Sequence, residues 1–168
     1  MEPKAFLARV VDDGLDFLSS LGGPAPTENV RRFLLCIALQ ESGPNLDARY
    51  QSSPSSSPGP ARGWWQFEQG GGVAGVLNHA TSKALALQAC TSLVVVAEPA
   101  AVWRSLEGND LLSCTFARLL VLTDPKSVPS TEDVAWDYYL RTWRPGKPHR
   151  DAWATNWKTA SEAVAAAI

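Results

Sequence analysis

The chain has 168 residues, of which 45% are hydrophobic and 19% charged, and its formal net charge at pH 7 is −2. This size fits one domain with a full core, and the composition is that of an ordinary globular protein. The slightly acidic balance argues against the electropositive surface of a nucleic-acid-binding protein, so a helical DNA-binding module is disfavoured. The most apolar run, residues 84–97, is too short to span a bilayer.

The spacing of apolar residues predicts an all-α fold, or one that is mostly α with a minimal β element, in a single domain over residues 1–168. Short extended pieces are expected only near 48–51 and 63–67. The stretch 51–60 is rich in Ser and Pro and predicts a flexible surface loop. Predicted helices cover residues 3–21, 27–42, 73–79, 81–97, 99–106, 110–122, 131–143 and 150–166.

The cysteines and histidines give no sign of a metal or cofactor. Cys36, Cys90 and Cys114 lie inside apolar helical patterns, and an odd count predicts buried free thiols in a reducing compartment. His79 and His149 stand alone, so no zinc site is expected. The N-terminus lacks the basic and then apolar pattern of a secretion signal, so we expect synthesis in the cytoplasm.

Glu41 is the strongest candidate for a catalytic residue. It lies four residues after Ile37, on the apolar stripe of the predicted helix 27–42. A carboxylate on the core side of a helix must be paired, protonated or used in chemistry. Desolvation raises the pKa of a carboxyl group, as a general acid near neutral pH requires. The alternative is a solvated glutamate in the last turn, next to a cap at Gly43.

Two short motifs carry a resemblance to a known family. They are Ala38-Leu39-Gln40-Glu41-Ser42-Gly43 and Gly63-Trp64-Trp65-Gln66-Phe67. In order and spacing they resemble the lysozyme-like superfamily, especially soluble lytic transglycosylases and goose-type lysozymes. There, a Glu-Ser pair at a helix end is followed by a polar loop and a Gly-x-x-Gln turn. The resemblance implies a lysozyme-like domain with Glu41 as general acid, Ser42 as the neighbouring hydroxyl, and Gln66 as the amide that holds the N-acetyl or carbonyl side of the sugar.

Aromatic residues supply the remaining candidates for substrate binding. The family carries a later tyrosine that completes the cleft; Tyr138 or Tyr139 could serve, although the usual Ala-Gly-x-x-x-Tyr context is missing. Of Trp64 and Trp65, we expect one to pack in the core and the other to form the cleft wall. Helical spacing predicts that a further set packs between the last two helices: Trp136, Tyr139, Trp143, Trp153 and Trp157.

The reaction that the resemblance implies is cleavage of the bond between N-acetylmuramic acid and N-acetylglucosamine in peptidoglycan. If water attacks, a second carboxylate is usually needed, and the candidates are Asp47 and Glu68. Each of these two carboxylates could instead be an ordinary solvated residue. If the sugar's own hydroxymethyl oxygen attacks, Glu41 alone suffices as acid and then base. We favour this second course, which is that of a lytic transglycosylase.

The segment 135–148 resembles the ending of small lysozyme-like proteins from tailed bacteriophages. This implies a phage protein that acts on peptidoglycan strands in the host cell envelope or is carried in the virion, where other virion proteins are further partners. A different class of function stays open, that of a virion structural protein. Such a head–tail connector or tail component would keep the fold with or without activity.

Overall fold

The computed structural model describes residues 1–47 and 59–167. Within these ranges the chain forms eight helices and one two-stranded hairpin, so the prediction of a mostly helical fold is confirmed. The strand predicted near 48–51 and most of the loop predicted at 51–60 lie outside the described residues. No helix in the described ranges is long and apolar enough to cross a membrane.

The first helix, α1, is continuous but changes its winding. It runs through Pro3–Phe6, then Leu7–Asp12 as a looser π-helix, then Asp13–Ser20. The other elements are α2 Glu28–Ser42, β1 Ala61–Arg62, β2 Phe67–Glu68, α3 Gln69–Val73 (a π-helix) continued by Ala74–Asn78, α4 Lys83–Ser92, α5 Pro99–Ser105, α6 Asp110–Leu122, α7 Glu132–Trp143 and α8 Arg150–Ala165.

Three predicted elements differ from the structure, and the first is the helix predicted from residue 73, which already begins at Gln69 as a π-helix. The helix predicted over 81–97 ends at Ser92, and Val94 has a left-handed backbone with φ 55°. The run of β-branched valines that follows has low helix propensity, which favours leaving the helix there. Of the piece predicted as extended at 63–67, residues 63–66 form the turn that joins β1 to β2, and Phe67 lies in β2.

Side chains cap two of the helices at the predicted starts. The Thr27 hydroxyl accepts a hydrogen bond from the Val30 amide at 3.3 Å, and the Asn109 side chain accepts one from the Leu112 amide at 2.9 Å. Such caps satisfy amides that have no partner within the helix. They fix where α2 and α6 begin, and therefore where the last turn of α2 lies.

Helices α2 and α6 form the centre of the core. Helix α2 packs along α8, and α1 packs along α6. Every side chain from Phe33 to Leu39 in α2 is buried, and so is every one from Leu112 to Val121 in α6. The three cysteines are buried and free, as predicted. With α2 held on several sides, its C-terminal end is a rigid platform for Glu41.

Candidate active site

Glu41 lies in the last turn of α2 and is largely withdrawn from water. Burial raises the pKa of Glu41 from 4.5 to about 7, and a hydrogen bond from Tyr139 acts in the opposite direction. That bond runs from the Tyr139 hydroxyl to Oε1 of Glu41, at 2.6 Å. A carboxyl group with this pKa can both give and accept a proton near neutral pH.

The end of α2 is held by hydrogen bonds on both sides of Glu41. The Gln40 side chain donates to the carbonyl of His149 at 3.0 Å and accepts from the Asn156 amide at 2.8 Å. The Ser42 hydroxyl donates to the carbonyl of Trp64 at 2.6 Å. The neighbours of Glu41 therefore fix its backbone against α8 and against the turn after β1.

The turn formed by residues 63–66 is tight and depends on glycine. Gly63 has φ 76°, and a Cβ there would lie 2.8 Å from Oγ of Ser113 and 3.0 Å from the carbonyl oxygen of Leu106. Gln66 also has a left-handed backbone, with φ 50°. Its amide N–H and side-chain Nε2 both donate to the Gly63 carbonyl, at 3.1 and 3.0 Å. Gln66 is half-buried, so one part of it faces outward.

Both tryptophans of this turn are buried, which corrects the expectation that one of them forms a cleft wall. Trp64 is 3% exposed and Trp65 is fully buried. The indole N–H of Trp64 donates to the Asp110 carboxylate, and that of Trp65 donates to the carbonyl of Leu34, each at 2.9 Å. Two indoles that are anchored in this way hold the turn onto the core.

The two adjacent tyrosines of α7 point to different neighbours. Tyr139 bonds to Glu41 and stacks on Trp153, with ring centroids 5.0 Å apart and planes at 23°. The hydroxyl of Tyr138 instead donates to the carbonyl of Val121 at 2.8 Å. Of the two candidates, the structure brings Tyr139 to the carboxyl group. Burial raises the pKa of Tyr139 far above its usual value, so the phenol stays a neutral donor.

Trp143 has a role that the sequence pattern did not reveal. Its ring stacks with Tyr139 at 6.5 Å, and its indole N–H donates to the carbonyl of Trp65 at 3.0 Å. Contacts therefore run in a closed ring from Glu41 through Tyr139 and Trp143 to the turn, and back through Ser42. Trp136 and Trp153 do pack between α7 and α8. The position of Trp143, four residues after Tyr139 on one helix face, was the available signal.

The two candidates for a second carboxylate are both exposed. Asp47 follows the end of α2, next to residues that lie outside the described ranges. Glu68 lines a cavity of about 470 Å³ beside Trp103, whose ring lies under the Arg62 guanidinium at 4.2 Å. A larger cavity, of about 820 Å³, borders Tyr138. The described linings of these two cavities do not include Glu41.

The described residues thus place a carboxyl group, hydrogen-bonded by a phenol, at a helix end that is tied to the glycine turn of residues 63–66. Comparisons with models of protein families, with curated proteins and with solved structures found no match for this chain. Any functional assignment therefore depends on the chemistry of this site and on its two motifs.

Proposed function

We propose that the protein cleaves the glycan strands of bacterial peptidoglycan, as a lytic transglycosylase with Glu41 as general acid. The observation that carries the proposal is the Glu41 carboxyl group, held by Tyr139 at 2.6 Å, with its pKa raised by burial to about 7. A glycosidase needs a protonated carboxyl at working pH, and burial is the usual way to obtain it. The Glu-Ser and Gly-x-x-Gln motifs supply the substrate class by resemblance.

One carboxyl group can complete this reaction. Glu41 gives its proton to the glycosidic oxygen as the bond from that oxygen to C1 of N-acetylmuramic acid breaks. The 6-hydroxyl oxygen of the same sugar bonds to C1, and the Glu41 carboxylate takes the hydroxyl proton. The products are a 1,6-anhydro sugar and a free hydroxyl on the other strand; no water is consumed, and Glu41 is protonated again.

The surrounding residues have positioning roles in this proposal. Tyr139 stabilises the carboxylate that forms on Glu41 during the proton transfer, because its hydroxyl is already aimed at Oε1. Ser42 ties the end of α2 to the 63–66 turn through the carbonyl of Trp64. The turn presents the amide of Gln66, which can donate and accept hydrogen bonds at an N-acetyl group.

Digestion of purified peptidoglycan tests the proposal. Wild-type protein is incubated with peptidoglycan in a zymogram and in solution, and the soluble muropeptides are analysed by mass spectrometry. We expect clearing and 1,6-anhydro products, which lack one water relative to hydrolysed ones. The matched control is Glu41→Gln, purified in parallel and checked for folding by circular dichroism.

Other product patterns would revise the proposal in defined ways. Hydrolysed muropeptides, with activity lost in Asp47→Asn or Glu68→Gln, would indicate a lysozyme that uses water and a second carboxylate. No products of either kind from folded protein would contradict cleavage and favour the virion structural role.

A further inference from the structure

A buried cation lines the cavity of about 820 Å³, and two of its nitrogens have no hydrogen-bond partner among the described residues. The cavity lies where α6 and α7 meet the first turn of α2, and Arg118 of α6 lines it. Arg118 is only 6% exposed. Its Nε and Nη1 atoms are buried, and neither has a hydrogen-bond partner among the described residues.

The buried guanidinium of Arg118 cannot become neutral by losing a proton. Burial lowers the pKa of Arg118, but arginine stays charged in proteins because its pKa in water exceeds about 12. Polar N–H groups without a partner are rare in protein interiors, and each one destabilises the fold. The five N–H donors of a guanidinium match the two oxygens of a carboxylate or phosphate group.

The other charged groups around the cavity do not supply that partner. The carboxylate that lines it, Asp124, is held by the Arg141 side chain at 2.6 Å and by the Lys126 amide at 2.9 Å. Within the described residues, Arg141 also has a buried Nη2 without a hydrogen-bond partner, and its guanidinium lies 4.3 Å from the Tyr138 ring centre. The Lys126 side chain adds a positive charge at the exposed rim.

The first turn of α2 adds a further attraction for anions. Thr27, Asn29 and Val30 line the cavity, and the positive end of the helix dipole lies at this turn. A 15-residue helix is long enough to develop that dipole. The positive groups thus come from α2, α6 and the segment after α6.

We infer that this cavity binds an oxyanion, a phosphate or carboxylate group, with the buried Arg118 as its charge partner. The site is separate from Glu41, because Tyr138 borders the cavity while Tyr139, the next residue on α7, contacts Glu41. The inference does not depend on peptidoglycan cleavage. An oxyanion in the cavity would balance the charge of Arg118, which lines the cavity and forms no ion pair with a carboxylate among the described residues.

Calorimetric titration with two simple anions tests the inference. Sodium phosphate and sodium acetate are titrated separately into wild-type protein at pH 7 and low ionic strength. We expect saturable binding of one anion per chain. In Arg118→Met the affinity falls by roughly one to two decades, as expected for lost hydrogen bonds to a charged group.

Two surface variants keep the test decisive if Arg118→Met does not fold. Lys126→Gln removes a charge at the rim, and we expect it to weaken binding several-fold. Lys158→Gln removes an exposed charge from α8, where Lys158 faces Glu162 at 3.8 Å, and we expect unchanged affinity. Tighter binding of phosphate or of acetate identifies the group that the site prefers, and either result supports the inference. No saturable binding, or equal affinity in Lys126→Gln, Lys158→Gln and wild type, overturns it.

Discussion

Glu41 is partly buried and Arg118 is almost fully buried, and these two ionisable side chains respond differently to the loss of water. Glu41 can take up a proton: burial raises its pKa to about 7, and Tyr139 supplies one hydrogen bond. Arg118 stays charged, and two of its N–H groups have no partner within the described residues. The acid can therefore exchange a proton near neutral pH, whereas the guanidinium can be balanced only by a negative charge.

The largest effect is expected when the proton of Glu41 is removed from the chemistry. Glu41→Gln should lower the rate of peptidoglycan cleavage by roughly two to four decades, since it deletes the proposed general acid and base. The amide keeps the shape of the side chain and can still accept the hydrogen bond from Tyr139, so folding should be preserved. Turbidity loss of purified cell walls measures the rate.

A matched control for this variant is Glu162→Gln, which neutralises an exposed glutamate on α8. It should cleave as fast as wild type. Equal lysis by Glu41→Gln and wild type would show that Glu41 is not the acid, and would leave its raised pKa as a consequence of packing alone.

The pKa of Glu41 also predicts how stability depends on pH. The folded protein holds the Glu41 proton up to about pH 7, whereas the unfolded chain releases it near 4.5. Between these values the unfolded state binds fewer protons, so the free energy of unfolding falls as pH rises. The contribution of Glu41 is fully present below pH 4.5 and is lost by about pH 7, with a total of up to about 3 kcal/mol.

Urea unfolding of wild type and Glu41→Gln at several pH values isolates this contribution, because the other titrating groups are shared. Relative to Glu41→Gln, wild type should lose unfolding free energy as the pH rises from 4 to 8. A difference that stays constant over this range would mean that water reaches Glu41 and that its pKa is ordinary.

The tyrosine pair offers a smaller and sharper test. Tyr139→Phe removes the hydrogen bond that favours the Glu41 carboxylate, so the pKa of Glu41 should rise. The alkaline limb of the pH–activity profile should then move to higher pH. The rate should fall by roughly one to two decades, because a hydrogen bond to a charged group contributes about 1.5–3 kcal/mol. Rates are measured across pH 5–9.

Tyr138→Phe is the control from the neighbouring position. It removes a hydroxyl that bonds to the carbonyl of Val121, so it should affect stability and leave the pH profile in place. If both variants moved the profile equally, Tyr139 would act only through packing.

Sequence patterns were sufficient for most of the helices because capping and apolar spacing are local properties. The starts at Thr27 and Asn109 could be predicted from their capping side chains. The end of α4 could not, since the run after Ser92 is apolar enough to continue a helix, and only the turn at Val94 shows that it does not.

The candidate site was predictable only in part, for a related reason. Glu41 is marked by its place on an apolar stripe, but the choice between Tyr138 and Tyr139 depends on how α7 is rotated against α2. The burial of both Trp64 and Trp65 depends on distant partners, Asp110 and the carbonyl of Leu34. Contacts between residues so far apart in the chain produce no periodic pattern in the sequence.

The smallest expected effect compares Arg118 with an arginine that does have a partner. Arg31 of α2 makes two hydrogen bonds to the Asp12 carboxylate, at 2.7 and 2.8 Å, and that contact raises its pKa. Arg31→Met should therefore lower the free energy of unfolding by about 1 kcal/mol, since it leaves a half-buried carboxylate without its cation.

Arg118→Met should act in the opposite direction in a buffer without phosphate or carboxylate ions. Methionine keeps much of the apolar stem and removes a buried charge that forms no ion pair among the described residues, so the free energy of unfolding should rise by about 1 kcal/mol. Urea unfolding of both variants measures the two changes side by side. If Arg118→Met were instead destabilised as much as Arg31→Met, ordered water would already satisfy the guanidinium. The cavity would then have no need of an anion.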